Sequence, residues 1–402
     1  MGGVFIVLHL DAKKRGSMEQ QLVALGRRLG DERIPATMVF ARPPAPFPAE
    51  ALREAGVTLR HLDFGLPPTR VARKLRSWMR RERPRIVHFH FIDPYSLLVA
   101  AARSCGARVL VHDHLCLSSG GRLREAGKRL RGFFLNRLFH ERLAVSAFVA
   151  RTVREVHRVP AGRVSLVENG IDASRFEVAD GSRIRQELHL GDAPLVACVS
   201  RLDDEKGVEW LVRAIPRVGR DAHLAVVGEG PGLRPWRKLS EQLGIASRVH
   251  FLGLRHDVEE VLAAASVVVA PSVCEEAFGL AVLEGMAAGR PIVVTESGAM
   301  PEIVQGAGLV VPKRDEAALA AAIDRLLHDE LLAQRLGEAG RARVRERYGI
   351  DRWVEQLLSV YRRHLAPAAH AARGVDAGAV GRLRGIHSRS GGSSPVARST
   401  AR

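Results

Sequence analysis

Residues Val267 to Pro291 read VVVAPSVCEEAFGLAVLEGMAAGRP, and this segment is the most informative part of the sequence. Its apolar start predicts a buried strand, and Gly279 opens a helix after the loop that follows this strand. Gly289 supplies a left-handed residue that ends the helix, and Pro291 prevents the helix from continuing. A strand, a loop, a helix and a sharp stop in this order are typical of a parallel sheet covered by helices.

The same alternation of short apolar runs and longer helical stretches continues through almost the whole chain. The predicted strands are Val4–His9, Thr37–Phe40, Ile86–His90, Val109–His112 and Leu143–Val145 in the first half, and Leu195–Val199, Leu224–Val227, Val249–Phe251, Val267–Ala270, Ile292–Val294 and Gly308–Val311 in the second. Each run is almost continuously apolar, as expected for strands buried on both faces of a sheet. The pattern predicts the α/β class, with two doubly wound Rossmann-like domains that face an interdomain cleft.

Turn residues divide the chain near its middle. Asn-Gly-Ile-Asp at 169–172 and the polar stretch at 175–182 interrupt the alternation and predict the linker. We expect one Rossmann-like domain over residues 1–178, a second over residues 179–350, and a helix over residues 351–365 that crosses back to the first domain. Residues 366–402 contain six arginines, one aspartate and hardly any large apolar side chain, so they predict a disordered basic tail.

Length and composition exclude several classes of protein. At 402 residues, with 46% hydrophobic and 26% charged residues, the chain is globular and long enough for two domains. Its longest apolar runs are far shorter than the roughly 20 residues of a membrane-spanning helix, and its first strand lacks the flanks of a signal peptide. The four cysteines show no metal-type or redox-type spacing, so we expect a reduced, cytoplasmic protein.

The loop and helix start within the quoted stretch are the strongest candidate for a binding site. Glu276 lies in the loop before the helix, and Glu284 lies about one turn inside it. The N–H groups of Phe278, Gly279 and Leu280 have no partner within a helix that starts here, and such a helix start binds anions such as a diphosphate. Because the carboxyl ends of parallel strands face the cleft, this site is predicted to lie between the domains.

Glu276 and Glu284, separated by seven residues, closely resemble the Glu-x7-Glu signature of the retaining GT-B glycosyltransferases of family 4 (glycosyl transferases group 1). Other family motifs follow in the expected order, namely Asn169–Asp172, Ser200–Leu202 with Lys206-Gly207, Val226–Pro231, Val249–Gly253 and Ser297–Val304. The resemblance covers roughly residues 1–365, is strongest over 165–305 and is weak in the N-terminal half. It implies a GT-B fold whose first domain binds the acceptor and whose second domain binds a nucleotide sugar.

The resemblance also implies roles for individual residues. Arg201 and Lys206 would hold the donor diphosphate, because preorganised cations stabilise the charge that the leaving group gains. Glu284 would receive the ribose hydroxyls, and Glu276 would contact the donor sugar together with the helix start at 278–280. The ordinary alternative for Arg201, Lys206 and Glu284 is a solvated surface charge. The neighbouring Glu275 does not give the family spacing.

Three further candidates rest on the same resemblance. Gly16 lies in a loop after the first strand, where the family usually has two glycines; Arg15 replaces the first of them, and Gly16 is assigned to donor binding or, alternatively, to helix entry. His112 resembles the histidine that reaches the donor sugar, and the alternative is an ordinary polar residue at a strand end. Leu254, in the segment at 251–255 beside the predicted nucleobase pocket, is also assigned to donor binding.

Neither a cofactor nor a metal is expected. The Gly228–Gly232 turn lacks the spacing of the dinucleotide fingerprint, so we reject a nicotinamide cofactor. Asp203 and Asp204 are adjacent carboxylates without converging histidines, which is a weak metal signal. For His88 and His90, two readings stay open, a functional role like that of His112 and an ordinary place as satisfied polar groups that line the cleft.

The formal net charge of +17 fits a nucleic-acid binder, a membrane-surface protein or an enzyme of anionic substrates. Two basic stretches with interspersed apolar residues, 70–85 and 122–142, suggest peripheral contact with anionic lipid at the inner face of the plasma membrane. The alternative is a pair of solvated helices that pack on the sheet. A contact with lipid would suit a lipid-linked acceptor.

The leading hypothesis is a retaining glycosyltransferase that moves a sugar from a nucleotide diphosphate sugar to a glycan or lipid-linked acceptor in bacterial polysaccharide or glycolipid synthesis. One alternative is a GT-B-like nucleotide-sugar epimerase, which would need no acceptor. Another alternative, from a different class, is a basic nucleic-acid-binding protein without enzymatic activity. The sequence contains no recognisable nucleic-acid-binding signature, so no nucleic-acid partner is expected.

Overall fold

The computed structural model describes residues 2–13, 16–114, 130, 132, 134–219 and 221–366. Its two parallel β-sheets, each covered by helices, confirm the predicted fold class. The first sheet contains β1 (Val4–Leu8), β2 (Ala36–Phe40), β3 (Thr58–His61), β4 (Ile86–His90), β5 (Arg108–Asp113), β6 (Glu141–Ala144) and β7 (Val164–Leu166). The second contains β8 (Leu195–Val199), β9 (His223–Val227), β10 (Val249–Gly253), β11 (Val267–Ala270), β12 (Ile292–Thr295) and β13 (Gly308–Val311).

Helices connect the strands of both sheets. In chain order they are α1 (Ser17–Asp31), α2 (Pro46–Glu54), α3 (Pro68–Glu82), α4 (Leu97–Ser104), α5 (Ala147–Glu155), α6 (Ser174–Glu177), α7 (Ser182–Glu187), α8 (Val208–Ala214), α9 (Leu233–Gln242), α10 (Val258–Ala264), α11 (Leu280–Ala287), α12 (Met300–Val304), α13 (Glu316–His328), α14 (Glu330–Arg347) and α15 (Ile350–Leu365). In the described part of the chain, no helix is both long enough and apolar enough to cross a membrane.

The first sheet has the strand order β3-β2-β1-β4-β5-β6-β7 and contains two strands that the sequence analysis missed. Both missed strands, β3 and β7, are at the edges of the sheet and are only partly buried, so they lack the continuous apolar run of a central strand. The prediction for β6 was shifted, because the strand begins at Glu141 and Arg142, whose buried side chains are charged.

The second sheet has the order β10-β9-β8-β11-β12-β13. All six of its predicted strands are present, with ends that differ by two residues or fewer. Their side chains are almost entirely apolar, which explains why the apolar-run criterion works better in this half. The domain limits at 178, 350 and 365 stay predictions, and the predicted tail lies outside the described residues apart from Ala366.

Helix α15 follows the last elements of the second half but packs against the first sheet. Its residues Trp353, Leu357 and Tyr361 are fully buried in one apolar cluster with Ile6 and Leu8 of β1. Truncating one such leucine to alanine typically costs about 2–5 kcal/mol of stability. The C-terminal helix is therefore part of the core of the N-terminal half.

The two chain crossings between the halves are hydrogen-bonded to each other. The N–H of Ile171, in the first crossing, donates to the carbonyl of Tyr348 at 2.8 Å, and the N–H of Ile350 donates to the carbonyl of Ile171 at 3.0 Å. A Cβ on Gly170 would lie 2.5 Å from the carbonyl oxygen of Gly349, so only glycine allows this close approach. The crossings thus form one paired junction.

Candidate functional site

Lys206 and Glu276 form an ion pair at the carboxyl ends of the second sheet. The Lys206 Nζ lies 2.5 Å from Oε1 of Glu276, and the Ser272 hydroxyl donates to the same oxygen at 2.6 Å. The side chains of Lys206 and Glu276 are 17% and 10% exposed. The structure therefore brings together two of the residues assigned from the sequence, the predicted diphosphate ligand and the predicted sugar ligand.

Close backbone packing holds the loop that carries Glu276. The Glu276 N–H donates to the Ser297 hydroxyl at 3.2 Å, and its carbonyl accepts from the Ala299 N–H at 2.9 Å. Gly298 has φ +51°, and a Cβ there would lie 2.2 Å from the Glu276 carbonyl oxygen. This glycine is required both by its left-handed conformation and by the lack of space. These contacts hold the main chain of Glu276 in place and thereby position its carboxylate.

Glu275 and Glu276 have different partners. Glu275 accepts from Lys313 Nζ at 2.5 Å and from the Gly298 N–H at 2.7 Å, whereas Glu276 accepts from Lys206. The structure places Glu276, rather than Glu275, beside Lys206, as the family spacing implies.

The helix start at 278–280 contributes backbone rather than side chains. Gly279, at φ +114°, is the N-cap of α11. The Phe278 side chain is buried and lies edge-on to Tyr348 with ring centroids 5.7 Å apart. Leu280 is half-buried at the first helical position. A helix of this kind presents backbone N–H groups and the positive end of its dipole at Gly279.

Glu284, one turn inside α11, contacts the other half of the molecule. Its Oε1 accepts from the hydroxyl of Ser17, the first residue of α1, at 2.6 Å. Gly16 is the N-cap of α1 and lies next to Ser17 in the chain. The structure therefore places Gly16 opposite Glu284, with Ser17 between the two halves. Arg15 lies outside the described residues.

Two candidates are not in contact with this group of residues in the structure. Arg201 follows β8, has a side chain 71% exposed and forms an ion pair with Asp203 at 3.0 Å. Leu254 follows the edge strand β10 and is 57% exposed.

Glycines 228 and 230 support the loop before Lys206, because Cβ atoms there would lie 1.8 Å and 2.4 Å from the carbonyl oxygens of Ser200 and Leu202.

His112 belongs to a cluster of buried histidines in the first sheet. It lies beside His90 of the neighbouring strand, and His88 is on the same face. His112 is 1% exposed, and its burial lowers its pKa to about 3, although the Val167 backbone partly opposes that shift. Burial, followed by the charges of neighbouring histidines, also lowers the pKa of His88 and His90. His112 is therefore a neutral imidazole near neutral pH.

The spacing of these three histidines differs from that of a tetrahedral metal site. Ring nitrogens of His88, His90 and His112 lie within 4.8 Å of one another. Imidazole nitrogens around a tetrahedral zinc ion are about 3.4 Å apart, given zinc–nitrogen bonds of about 2.0–2.1 Å. In addition, both nitrogens of His90 already contact nitrogens of other histidines, at 2.9 and 3.2 Å. The arrangement fits a hydrogen-bonded cluster better than a cation site.

A buried ion pair supports the end of β5, next to His112. Arg142 is 1% exposed, and its Nε and Nη2 bind the two oxygens of Asp113 at 2.6 and 2.5 Å. Burial acts against the charged Arg142, but the Asp113 carboxylate more than offsets this effect and raises the pKa of the guanidinium. Such a pair fixes the strand end where β5 meets the cleft.

Two further contacts join the halves across the cleft. The Ser146 hydroxyl donates to the Ala277 carbonyl at 2.7 Å. The carboxylate of Glu302 accepts from the N–H groups of Ala147 and Phe148, at the N-terminus of α5, at 2.8 and 3.0 Å. The helix dipole favours an anion at this position. The structure is therefore a closed arrangement in which one half caps a helix of the other.

The sequence analysis missed Ser17, Ser146, Ser272, Glu302 and Lys313. Glu302 lies within the family motif at 297–304, which contains no sign of a contact between the halves. Ser146 also had a local signal, because a serine before a helix is a typical N-cap, and its hydroxyl accepts from the Val149 N–H. No local sequence pattern indicated that Ser146 and Glu302 contact the other half of the molecule.

The geometry supports the binding of a ligand that carries phosphate and hydroxyl groups. Lys206 supplies a cation, Gly279 a helix start, and Glu276 and Glu284 supply hydrogen-bond acceptors for hydroxyls. All of them lie around one loop and one helix at the edge between the halves. In this arrangement Glu276 and Glu284 act as hydrogen-bond acceptors, and not as the acid and base of a glycosidase.

Comparison with known families gives two matches that together cover most of the described chain. Residues 18–175 match the Glycosyltransferase Family 4 model, and residues 193–329 match the model for Glycosyl transferases group 1. The first match covers most of the first sheet and its helices. The second match contains Arg201, Lys206, Glu276 and Glu284.

Individual proteins are also similar. A GDP-mannose-dependent alpha-(1-6)-phosphatidylinositol monomannoside mannosyltransferase of Mycobacterium tuberculosis is 31% identical over 90% of this chain and 98% of its own length. An N-acetyl-alpha-D-glucosaminyl L-malate synthase of Bacillus anthracis is 28% identical over 74% of this chain and 80% of its own. The Anabaena HepE structure in complex with UDP and glucose has a TM-score of 0.77 at 19% identity, over 90% of this chain and the whole of that one.

Proposed function

The chain belongs to the family 4, group 1 glycosyltransferases, and we propose that it transfers a hexose, with retention at the anomeric carbon, from a nucleotide diphosphate sugar to a lipid-linked acceptor. The observation that carries this proposal is the placement of Lys206, Glu276 and Glu284 around the α11 helix start. GDP-mannose is the donor that we propose first, because the mycobacterial relative is GDP-mannose-dependent and is similar over almost its whole length.

Lys206 and Arg201 are the cations that would hold the diphosphate. In the structure Lys206 forms an ion pair with Glu276, and Arg201 forms one with Asp203, so each cation already has a carboxylate partner. The donor diphosphate would replace these carboxylates as the partner of the two cations. The stabilising charge is therefore already in place before the glycosidic bond breaks, which is how preorganised groups lower a barrier. With two cations at this position, the reaction would need no metal ion.

Glu284 and Glu276 are the acceptors that would orient the donor. Glu284 would exchange the Ser17 hydroxyl for ribose hydroxyls, and Glu276 would bind a hydroxyl of the sugar as Lys206 turns to the phosphate. The reaction breaks the bond between the anomeric carbon and the phosphate oxygen and forms a bond to an acceptor hydroxyl oxygen on the same face. The released phosphate oxygen takes the acceptor proton, so no protein base is required.

A nucleotide screen tests the donor half of the proposal. We expect GDP or GDP-mannose, rather than UDP or ADP, to raise the unfolding midpoint, because a ligand that binds only the folded state stabilises it by about 2.7 kcal/mol at 100 times its Kd. Arg201→Ala and Lys206→Ala should abolish the shift. A protein that none of these nucleotides stabilises would contradict the proposed donor class.

A transfer assay tests the chemistry. Incubation of the protein with GDP-mannose and phosphatidylinositol mannoside should give a mannosylated lipid, detected by mass spectrometry, whose new linkage has the α configuration by NMR. Formation of a different GDP-hexose in the absence of any lipid would instead support the epimerase alternative. Addition of EDTA should leave the rate unchanged if no metal is required.

Helix α3 supports the proposal that the acceptor is reached at a membrane surface. Its apolar residues Val71, Leu75 and Met79 are buried in the core, so the helix does not offer them to lipid. Its outer face is cationic and includes the exposed Arg73, Lys74, Arg80 and Arg81. We expect binding to phosphatidylglycerol vesicles that weakens as salt rises, since exposed charges are screened.

Charge reversal on α3 is the direct test of membrane binding. The triple variant Arg73→Glu, Lys74→Glu, Arg80→Glu should lose sedimentation with anionic vesicles. The matched control reverses the same number of charges at Arg234, Arg237 and Lys238 on α9 of the second half. Equal loss in both variants would mean that net charge alone drives binding. The second basic stretch, 122–142, lies partly outside the described residues.

A further inference from the structure

Three arginines lie around the amino edge of the second sheet, opposite the edge that carries Lys206 and Glu276. Arg290 is two residues before β12, Arg341 is on α14 and Arg185 is on α7. We call Arg185, Arg290 and Arg341 the arginine cluster. Its members come from three separate segments of the chain.

Arg341 lies against the backbone just before Arg290. Its Nη2 donates to the carbonyl of Ala288 at 3.1 Å, and a Cβ on Gly289 would lie 2.4 Å from the same nitrogen. The Arg341 guanidinium therefore covers the C-terminal end of α11, one residue before Arg290.

Arg185 reaches the same edge of the sheet from α7. Its Nη1 donates to the carbonyl of Ala264 at 3.2 Å, and its Nη2 donates to that of Ala193 at 2.8 Å. Ala264 precedes β11 and Ala193 precedes β8, and β11 lies between β8 and β12 in the sheet. The three arginines thus surround the amino ends of neighbouring strands.

Arg290 is the member of the cluster without a partner. Its side chain forms no hydrogen bond or ion pair with any residue that the structure describes; its Nε is buried, while its two Nη nitrogens are open to solvent. Burial, followed by the positive charges of Arg341 and Arg185, lowers the pKa of the Arg290 guanidinium. Within the described chain, no carboxylate opposes this shift. A partly buried cation beside other cations favours a bound anion, because its desolvation is otherwise uncompensated.

Capping of helix ends is the ordinary role of such arginines, and it explains two of the three. Arg341 binds a carbonyl at the end of α11, and Arg185 binds the carbonyl of the last residue of α10, where cations are favourable. Arg290 donates to no carbonyl of the described residues, so capping does not account for it. Glu177, which the charge of Arg341 also reaches, accepts from Arg345 at 2.8 Å, and this hydrogen bond is the main reason for its lowered pKa.

We propose that the arginine cluster binds an oxyanion of the phosphate class, at a site separate from the donor site. Guanidinium groups match the geometry of phosphate oxygens and form strong charge-assisted hydrogen bonds with them. The Nη nitrogens of Arg290 and Arg341 donate to the anion, and the charge of Arg185 adds to the attraction. The anion thereby links α14 to the C-terminal end of α11, the helix that begins at Gly279. The site does not depend on the proposed glycosyl transfer.

Calorimetric titration and thermal unfolding with sodium phosphate, against sodium chloride at equal ionic strength, test the site. At about ten times its Kd, phosphate should raise the unfolding midpoint by about 2–4 °C. Arg290→Gln and, on another element, Arg341→Gln should each weaken the Kd about tenfold. The control Arg213→Gln removes the same charge from a side chain that is already paired with Glu209, and should bind phosphate like the wild type. Lys206→Ala, which weakens the donor site, should also keep the phosphate effect.

A vesicle measurement distinguishes free phosphate from a lipid headgroup, because phosphatidic acid presents the same phosphate group on a surface. A midpoint shift with inorganic phosphate that Arg290→Gln loses would identify a soluble anion. Sedimentation with phosphatidic acid vesicles that Arg290→Gln loses, without any effect of inorganic phosphate, would identify a headgroup. Either result supports the arginine cluster as the binding site.

Four outcomes would overturn the inference. The first is a wild type that neither phosphate nor phosphatidic acid vesicles affect, and the second is binding that Arg290→Gln and Arg341→Gln leave unchanged. The third is an equal loss in Arg213→Gln, which would mean that net charge alone attracts the anion. The fourth is an effect lost in Lys206→Ala and kept in Arg290→Gln, which would place the anion at the donor site. The midpoint of each variant without phosphate verifies that it is folded.

Discussion

The two halves of the molecule place their polar groups in different ways. In the second half, Lys206 and Glu276 lie beyond the strand ends, where the side chain of Lys206 is 17% exposed and that of Glu276 is buried beside it. In the first half, His88, His112 and Arg142 lie within the strands and are fully buried. A charge at a strand end beside the cleft can exchange its partner for a ligand, whereas a charge within the sheet must keep its partner because its desolvation is costly. We therefore expect substitutions in the second half to reduce activity and those in the first half to reduce stability.

The largest expected effect on stability is at the Arg142–Asp113 pair. Arg142→Ala should lower the free energy of unfolding by about 3–5 kcal/mol, because it leaves the Asp113 carboxylate largely buried and without its cation. Denaturant titration measures the change. The reference is Arg201→Ala, which removes a side chain 71% exposed and should leave stability nearly unchanged. Equal losses in the two variants would break the contrast between the halves.

The next largest effect is on the reaction at Lys206. Lys206→Ala should lower kcat by about 10²–10³-fold, because it removes a cation from the departing diphosphate. The matched control is Lys313→Ala, since Lys313 pairs with Glu275 at the same distance and has a similar exposure. The two variants should have similar thermal midpoints. Steady-state kinetics measure kcat for both variants. An equal decrease in kcat in the two would show that the Lys206 position has no special role.

The buried histidines predict a loss of stability in acid. His112 has a folded pKa of about 3, below the value of about 6.5 in an unfolded chain, so the unfolded state binds the proton first. The stability that this neutral ring contributes is complete above about pH 6.5 and declines toward pH 3 by about 1.4 kcal/mol per pH unit. Below about pH 6.5, the unfolding free energy of His112→Gln should therefore fall with pH less steeply than that of the wild type, by this amount per pH unit. Identical slopes would contradict the assignment.

The smallest expected effect is at the contact that joins the halves. Glu302→Gln keeps one acceptor oxygen for the two N–H groups of α5, replaces the other oxygen by an NH2 group and removes the negative charge, and should weaken the contact between the halves by about 1 kcal/mol. Small-angle scattering should report a larger radius of gyration, and the KM for GDP-mannose should rise about fivefold at an unchanged kcat. An unchanged radius and an unchanged KM would show that Glu302 does not hold the halves together.

The second sheet and its site could be predicted more completely than the first. The Glu276 loop is encoded locally, because the glycines at 279, 289 and 298 and the apolar strands leave signals within a short stretch. The bonds from Ser17 to Glu284 and from Glu302 to α5 join residues more than 150 positions apart. They depend on how the halves pack, which no local pattern contains.

The first sheet was harder to predict for a second reason. Glu141 and Arg142 occupy a buried strand as charged residues, and each is neutralised by a partner from elsewhere in the chain, such as Asp113 and Arg363. A rule that equates buried strands with apolar runs cannot find such a strand. His112 was identified as a candidate, but its burial among other histidines followed only from the pairing of β4 with β5.

The paired junction at Ile171 and Gly349 has a mechanical consequence. Two chain segments that are hydrogen-bonded side by side resist twisting about their common axis far more than they resist bending, as a two-pin hinge does. We therefore expect any opening of the cleft to occur mainly by bending at this junction, along close to a single angle. Rotation of one half against the other would have to break these hydrogen bonds.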